Sequence, residues 1–170
     1  MRKASFAPVV DDRTRVLILG SLPGEESLRR SRYYAHPQNR FWHLVGDAIG
    51  HDLSALEYVD RLDSLRAFGI GLWDVIAHAA RRGSLDSAIR EAVDNDLVAL
   101  TDSLPALAAI AFNGKTASRI GRARLGERSV RYALIDLPSS SPAYAAMPYA
   151  EKLSRWTVIR GIAGPHRFTQ

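Results

Sequence analysis

The run Arg15-Val-Leu-Ile-Leu-Gly20 predicts a buried strand at the centre of the fold. It is a continuous apolar run that ends at a glycine, which is typical of a strand buried on both faces of a parallel sheet. Residues 69–76, 107–112 and 131–136 have the same character and predict further strands. Because helical patterns alternate with these strands, we expect an α/β fold, a three-layer α/β/α sandwich with a short central four-stranded parallel sheet.

Helices are predicted where apolar residues recur at the spacing of one helix face. Phe41, Leu44 and Val45 share such a face. The other predicted helices cover residues 55–68, 85–93 with Ser84 as the N-cap, 94 or 95 to about 105, a stretch after 113–116, and about 149–162.

The carboxyl ends of the predicted strands are where function is expected. In open parallel sheets the ligand site lies outside these ends. Three polar loops begin there, after Leu19, Phe112 and Asp136. Candidate functional residues are therefore sought in these three loops.

Length and charge restrict the class of protein. The chain has 170 residues, which predicts one domain (1–170), and it carries 23 Lys+Arg against 18 Asp+Glu. Twenty of the 23 basic residues are arginine. Guanidinium groups match phosphate oxygens, but GC-rich coding also enriches arginine, so the charge alone leaves a nucleic-acid binder and an ordinary basic enzyme both open.

Several chemistries are excluded by what the sequence lacks. With no cysteine there is no disulfide, thiolate zinc site or cysteine-bound iron–sulfur cluster. Gly114-Lys-Thr116 lacks the upstream glycine of a phosphate loop, because position 109 is Ala. No apolar run is long enough to span a membrane, and no signal peptide or metal-ligand spacing is found. We expect a cytoplasmic protein without metal or cofactor.

The first loop contains the residue types that would hold a flat ring. It reads Gly20-Ser-Leu-Pro-Gly24 and then Tyr33-Tyr-Ala-His-Pro-Gln-Asn-Arg-Phe-Trp42. A ring could stack on Tyr33 or Tyr34, of which we expect one to pack and one to function. Asn39 could bond a ring edge or hold a water. Phe41 and Trp42 are interpreted as core residues.

These residues resemble the first motif region of the uracil-DNA glycosylase superfamily. Residues 111–117 resemble the segment that closes the third strand in that superfamily, and Leu137-Pro-Ser-Ser-Ser-Pro-Ala143 resembles its second motif, a loop that enters the duplex. The closest resemblance is to the hypoxanthine-DNA glycosylase family, through Gly20-Ser-Leu-Pro23, Leu72-Trp-Asp-Val-Ile76 and Gly83-Ser-Leu-Asp-Ser87. The similarity extends over about residues 15–160.

The resemblance implies a monofunctional DNA glycosylase that flips a deaminated base out of DNA and hydrolyses its N-glycosidic bond, with hypoxanthine as the first candidate base. Leu22 stands where mismatch-specific relatives have a water-positioning Asn. The resemblance therefore assigns that catalytic role to Asn39, with Asp74 as the reserve. The Ser run would contact phosphates, and Pro142, Ala143 or Tyr144 would fill the vacated stack.

The implied binding residues form three groups. Base-binding candidates are Gly20, Ser21, Leu22, Tyr34 and Asn113; DNA-binding candidates are Ser27, His36, Lys115, Ser139, Ser140, Ser141, Pro142, Ala143 and Tyr144; candidate phosphate contacts are Arg29, Arg30, Arg32, Arg40, Arg119, Arg122 and Arg124.

Other interpretations remain open for some of these residues. Asn113 could instead N-cap a helix, the Ser run could be a plain polar turn, and His36 could hold the loop. The function could also be excision of uracil, binding of damaged or single-stranded DNA without catalysis, or chemistry on free nucleosides. The expected partner is DNA containing a deaminated base. We expect a monomer that associates with the nucleoid. No membrane contact and no iron–sulfur cluster are expected.

Overall fold

The structure, a computed structural model, describes residues 2–164. In chain order the strands are β1 (Arg2–Ala4), β2 (Val16–Gly20), β3 (Ile70–Asp74), β4 (Ile76–Ala80), β5 (Arg90–Asp94), β6 (Ala109–Asn113) and β7 (Ala133–Leu137). The helices are α1 (Glu25–Arg30), α2 (Phe41–Ile49), α3 (Tyr58–Ala67), α4 (Leu97–Asp102), α5 (Lys115–Leu125) and α6 (Tyr149–Trp156). Short 3-10 turns lie at Asp86–Ala88, Gly126–Arg131 and Thr157–Gly161.

A parallel sheet forms the centre of the fold, with the strand order β3-β2-β6-β7. All five residues of β2 are buried, and successive side chains point to opposite faces. Val16 and Ile18 pack with α2, α3 and α6, whereas Leu17 and Leu19 pack with α4 and α5. The two apolar clusters are the interfaces between the layers, and they confirm the predicted α/β/α sandwich with a four-stranded parallel sheet.

A second, antiparallel sheet with the order β1-β4-β5 lies beside the first, and the sequence did not predict it. The helix predicted over 85–93 is wrong, because most of that segment is a 3-10 turn followed by β5. Ser84 does accept a hydrogen bond at a helix start, but the helix is α1, where its Oγ lies 2.9 Å from the Glu25 nitrogen. Residues 90–94 form a strand because they pair with β4.

Other boundaries differ from the prediction by one element or a few residues. The loop predicted over 21–39 contains α1. Helix α4 begins at Leu97 rather than at 94 or 95, because the Asp96 carboxylate accepts a hydrogen bond from the Ala99 N–H at 3.0 Å. The last helix ends at Trp156 and continues only as a 3-10 turn. These shifts leave the three functional loops at the carboxyl ends of β2, β6 and β7.

Candidate active site

A cavity of about 310 Å³ opens at the carboxyl ends of the parallel strands. The loops after β2 and β7 contribute to its wall, and Asp74 and Asn113 contribute from the ends of β3 and β6. Ser84, Leu85 and Asp86 also line it, which the sequence did not predict. The sandwich thus brings the separate motifs of the chain to one place.

One wall of the cavity is the ring of Tyr34. It stacks on Phe41 with ring centroids 3.8 Å apart and planes 12° from parallel, and Phe41 is fully buried. Tyr34 has a φ of 54°, a left-handed conformation that is uncommon for a bulky residue and often marks functional sites. Tyr33 instead packs in the core, where its hydroxyl donates to the Ala7 carbonyl at 2.9 Å. Of the two tyrosines, Tyr34 alone presents its ring beside the start of α2.

Asn39 lies at the rim of the cavity and at the start of α2. Its Oδ1 accepts a hydrogen bond from the Phe41 N–H at 3.0 Å, and its own N–H donates to the His36 carbonyl at 2.9 Å. These bonds fix the carboxamide relative to the helix. The second lone pair of Oδ1 is still available to a water.

Asn113 joins the end of β6 to the loop after β7. Its Nδ2 donates to Ser140 Oγ, and its Oδ1 accepts from the Ser140 N–H, both at 2.9 Å. The alternative interpretation of Asn113 as a helix N-cap is wrong, since Gly114 precedes α5 and no side chain caps it. Each amide atom has one further hydrogen-bonding position, and the amide also interacts with the Tyr34 hydroxyl, whose pKa it lowers.

The floor of the cavity is built around Gly20. A Cβ on Gly20 would lie 2.6 Å from Asp74 Oδ1 and 3.0 Å from the Tyr34 hydroxyl, so only glycine fits there. Asp74 is buried, and burial raises the pKa of its carboxyl to about 7. Burial also raises the pKa of Tyr34, and the Asp74 carboxyl adds to that rise. Tyr34 is therefore uncharged at neutral pH, and the Asp74 carboxyl keeps its proton over most of the range below it.

A loop containing the Gly83–Ser87 motif closes one side of the cavity. Arg81 is buried, donates to the carbonyls of Pro23 and Gly83, and lies 3.9 Å from Asp86. The Ser21 hydroxyl donates to Asp86 Oδ1 at 2.7 Å. The sequence indicated this motif only as part of the resemblance, without a role. Arg81, two residues before Gly83-Ser84, is the sequence feature that could have indicated the contacts of this loop.

Other predicted residues are placed around this cavity in different ways. Leu22 borders it, but its side chain is buried in the apolar cluster beneath α5. Ser27 is buried, and its Oγ accepts a hydrogen bond from the Ala35 N–H, so it holds the first loop. His36 Nδ1 likewise accepts from the Gln38 N–H. Lys115 is exposed in the first turn of α5 and is not part of the cavity wall.

The loop after β7 is partly an organised turn. Ser140 is buried, so its hydroxyl holds Asn113 instead of facing a phosphate. The hydroxyls of Ser139 and Ser141 accept from the N–H groups of Ser141 and Ala143. Pro142, Ala143 and Tyr144 are exposed at the cavity mouth. Lys152 supports this tip by donating to the Tyr144 carbonyl at 2.6 Å.

The arginines that were predicted to contact phosphate differ in the groups that they pair with in the structure. Arg29 and Arg30 pair with Glu26, Arg122 with Asp136, and Arg124 with Asp94. Arg32 and Arg40 instead lie over the rings of Tyr58 and Tyr149, at 5.2 and 5.3 Å. Arg119 is exposed on α5. Arg32 and Arg40 belong to the first loop and pair with rings rather than carboxylates.

The family of the chain follows from its similarity to known proteins. The model of the uracil DNA glycosylase superfamily matches residues 7–159. The chain belongs to the uracil-DNA glycosylase superfamily. The DNA glycosylase predicted from the motifs, an enzyme that hydrolyses N-glycosyl bonds, is thereby confirmed.

Two curated relatives in the superfamily carry the name hypoxanthine DNA glycosylase. That of Methanosarcina barkeri is 46% identical over 115 residues, covering 68% of this chain and 73% of the relative. That of Methanosarcina acetivorans is 44% identical over 143 residues, covering 84% of this chain and 89% of the relative.

A solved structure of the superfamily has the same fold. It is a solution NMR structure from Methanosarcina acetivorans, described as a candidate uracil DNA glycosylase, with a TM-score of 0.85 and 40% identity. The match covers 96% of this chain and 100% of that one. Among residues 2–164 no helix is long and apolar enough to cross a membrane, and no group of three metal-ligating side chains is found.

Proposed function

We propose that this DNA glycosylase excises hypoxanthine, with the base flipped out of the duplex into the cavity beside Tyr34. The main support for this proposal is the position of the Tyr34 ring, which stacks on the fully buried Phe41 at the cavity wall. A flat base placed against the other face of Tyr34 would gain stacking of about 1–3 kcal/mol. The names of the two Methanosarcina relatives support hypoxanthine as that base.

Asn39 positions the attacking water in this proposal. An amide is not a base, so it aligns water through Oδ1 without removing a proton. The C1′–N bond must then break largely before the water attacks, which leaves an oxocarbenium-like sugar. Leu22 supports this assignment, because its side chain is buried in the apolar cluster and has no polar atom. Catalysis depends on a water held in place before the reaction begins.

Asn113 reads the edge of the base. Its second Nδ2 hydrogen and second Oδ1 lone pair can pair with a carbonyl and a ring N–H, which hypoxanthine presents side by side. The reciprocal bonds to Ser140 keep the amide from rotating. The same bonds couple base recognition to the loop that faces the duplex.

Tyr144 fills the space that the flipped base leaves. Its ring is 38% exposed at the tip of the loop after β7, and Lys152 Nζ lies 5.3 Å from the ring centroid. An aromatic side chain held at a loop tip can unstack neighbouring bases. Free N–H groups and hydroxyls of the same loop would contact the flanking phosphates.

The chain acts, in this proposal, as a single-domain monomer in the cytoplasm, on DNA of the nucleoid. It forms no covalent intermediate with DNA. Its three lysines are Lys3, Lys115 and Lys152, and none of them lines the cavity. The cavity wall therefore offers no lysine nucleophile, which supports a monofunctional enzyme without lyase activity.

A panel of lesions tests the proposed substrate. Duplexes with a single inosine, uracil, xanthine or ethenoadenine are incubated with enzyme in excess, and abasic sites are cleaved with alkali. We expect the inosine strand to be cleaved fastest. Faster cleavage at uracil would replace hypoxanthine as the substrate, and tight binding without any cleavage would indicate a non-catalytic binder. Activity on free nucleosides alone would exclude DNA as the substrate.

A further inference from the structure

Three buried polar atoms without hydrogen-bond partners surround the cavity. Within residues 2–164, the buried side-chain atoms that meet no hydrogen-bond criterion are the Tyr34 hydroxyl, Asp74 Oδ2 and Arg81 Nη1. The Asn113 amide interacts with the Tyr34 hydroxyl, and Asp86 lies 3.9 Å from Arg81 Nη1. Tyr34 and Asp74 line the cavity, and Arg81 holds the loop that closes it. Unsatisfied buried groups are rare in folded proteins and call for an explanation. A ligand whose polar edge meets the floor of the cavity would supply partners for Tyr34 and Asp74.

Asp74 and the Tyr34 hydroxyl both carry a proton at this floor, and Asp74 is the more acidic of the two. It ends β3 at the register position opposite Gly20, and 3% of it is exposed. The charged or titratable groups that face it are Tyr33 and Tyr34 on the first loop, Arg81 and Asp86. Burial and the Asp86 charge disfavour its carboxylate, whereas Arg81 favours it. The carboxyl is therefore poised to hold its proton and also to release it.

We propose that Asp74, as a neutral carboxylic acid, donates its proton to N7 of the departing hypoxanthine. This inference rests on the proposed excision of hypoxanthine. A purine has a ring nitrogen acceptor at N7 that uracil lacks, so the same contact would favour purines over pyrimidines. The glycine at position 20 is required for it, since a Cβ there would meet Asp74 Oδ1 at 2.6 Å.

Proton transfer from Asp74 neutralises the leaving group. The N9–C1′ bond breaks and its electron pair goes to the base, while the Asp74 proton moves to N7, so hypoxanthine leaves as a neutral molecule. The sugar cation takes the oxygen of the water aligned by Asn39 and releases one proton to solvent. Asp74 remains as a carboxylate near Arg81 and regains a proton from solvent after the products leave. Neutralising the leaving group is the usual contribution of a general acid.

The test combines Asp74→Asn with 7-deaza-2′-deoxyinosine, in which a C–H replaces N7. Asn has the shape of the neutral acid and keeps an N–H donor, but it cannot transfer a proton. Single-turnover cleavage rates are measured for both proteins on duplexes with inosine and with the 7-deaza analogue, between about pH 5.5 and pH 9. Asp102→Asn, an exposed change at the end of α4, is the matched control.

We expect Asp74→Asn to lower the rate on inosine by about 10²–10⁴-fold, the usual range for acid–base catalysis. The wild-type rate should decline above about pH 7, and the variant should lose that decline. On the 7-deaza analogue the variant and the wild type should be equally slow. Thermal melting and binding to a duplex with uncleavable 2′-fluoro-inosine check that the variant folds and binds.

Three outcomes would overturn the inference. One is an inosine rate in Asp74→Asn within about threefold of the wild type. Another is an unchanged pH profile, and the third is an equal effect of Asp74→Asn on inosine and on the 7-deaza analogue. If the variant does not fold, two wild-type measurements test the inference. They are the pH profile of the wild type and its cleavage rate on the 7-deaza analogue. Absence of any wild-type cleavage at inosine would instead contradict the proposed function itself.

Discussion

The ring of Tyr34 lies flat against that of Phe41, the first residue of α2, with centroids 3.8 Å apart, and Phe41 is fully buried. The cavity wall therefore has the hydrophobic core directly behind it. Phe41 also meets Trp42 and Trp156 edge to face, at 5.1 and 5.8 Å. This arrangement fixes the plane against which a flipped base would stack.

Replacing the Tyr34 ring should weaken recognition of the lesion. Tyr34→Leu removes the stacking surface, and we expect it to cost about 1–3 kcal/mol of binding to a duplex with uncleavable 2′-fluoro-inosine. Tyr34→Phe keeps the ring and its stacking surface, so it should lose much less affinity than Tyr34→Leu. Fluorescence anisotropy measures both. Equal affinity of the Leu variant and the wild type would show that Tyr34 does not stack on the base.

The central sheet could be predicted from the sequence because each of its strands is a short apolar run. The strands β4 and β5 of the second sheet could not be predicted in this way. Residues of β5 are mostly exposed and mix charged with small side chains, so neither a period of two nor an apolar run marks them. The spacing of Leu85, Ile89 and Val93 instead imitates a helix, and only pairing with β4 resolves it.

The site was predictable where residues stay close in the chain and less so where they meet across it. Tyr34, His36 and Asn39 lie within one loop, and all three line the cavity. The reciprocal bonds of Asn113 and Ser140 join residues 27 positions apart. Arg81 reaches Pro23 across 58 positions. No local pattern carries such contacts, so their partners could not be assigned from the sequence.

The exposed ring of Tyr144 should hold the flipped state open. Unstacking a base step costs a few kcal/mol, so removal of the wedge should lower the flipped population about tenfold or more. The readout is the fluorescence of 2-aminopurine placed next to the lesion, which rises when its neighbour leaves the stack. Tyr144→Ala should abolish most of that rise. Val130→Ala changes an apolar side chain that is 90% exposed outside the cavity wall and should leave the rise intact.

Arg40 should contribute a phosphate contact. Its side chain is exposed over the Tyr149 ring, and its N–H donates to the Ser140 carbonyl at 3.0 Å, so it lies between the first loop and the loop after β7. In Arg40→Ala the slope of log affinity against log salt concentration should fall by about one. Arg128→Ala is the control, because Arg128 pairs with Asp102. An unchanged slope in Arg40→Ala would remove it from the DNA contacts.

Asp74 should make the protein less stable as the pH rises. Its carboxyl pKa is about 7 in the fold, against the model-peptide value of 3.8. Between these values the folded chain holds a proton that the unfolded chain has lost, so the free energy of unfolding decreases as the pH rises from about 4 to about 7. The loss is on the order of a few kcal/mol and is complete above pH 7.

Asp74→Asn removes this titration. Relative to the wild type, the variant should be a few kcal/mol more stable at about pH 8 than it is at about pH 5. Urea unfolding at the two pH values measures the difference. A stability difference that is the same at both would show that the Asp74 carboxyl is already ionised in the folded protein at low pH.

The proposed hydrolysis of the glycosidic bond depends on the water that Asn39 holds in this cavity. Asn39→Ala also removes the bond to the Phe41 N–H, which should cost about 0.5–2 kcal/mol of stability, so folding is checked by thermal melting. Gln38→Ala, an exposed neighbour outside the cavity wall, is the control.

The most direct measurement is the single-turnover release of free hypoxanthine from an inosine duplex, detected by chromatography with enzyme in excess. The wild type and Gln38→Ala should release the base at similar rates. Asn39→Ala should bind the duplex yet release the base at least about 10²-fold more slowly. Release of hypoxanthine by Asn39→Ala at the wild-type rate would show that Asn39 does not position the attacking water.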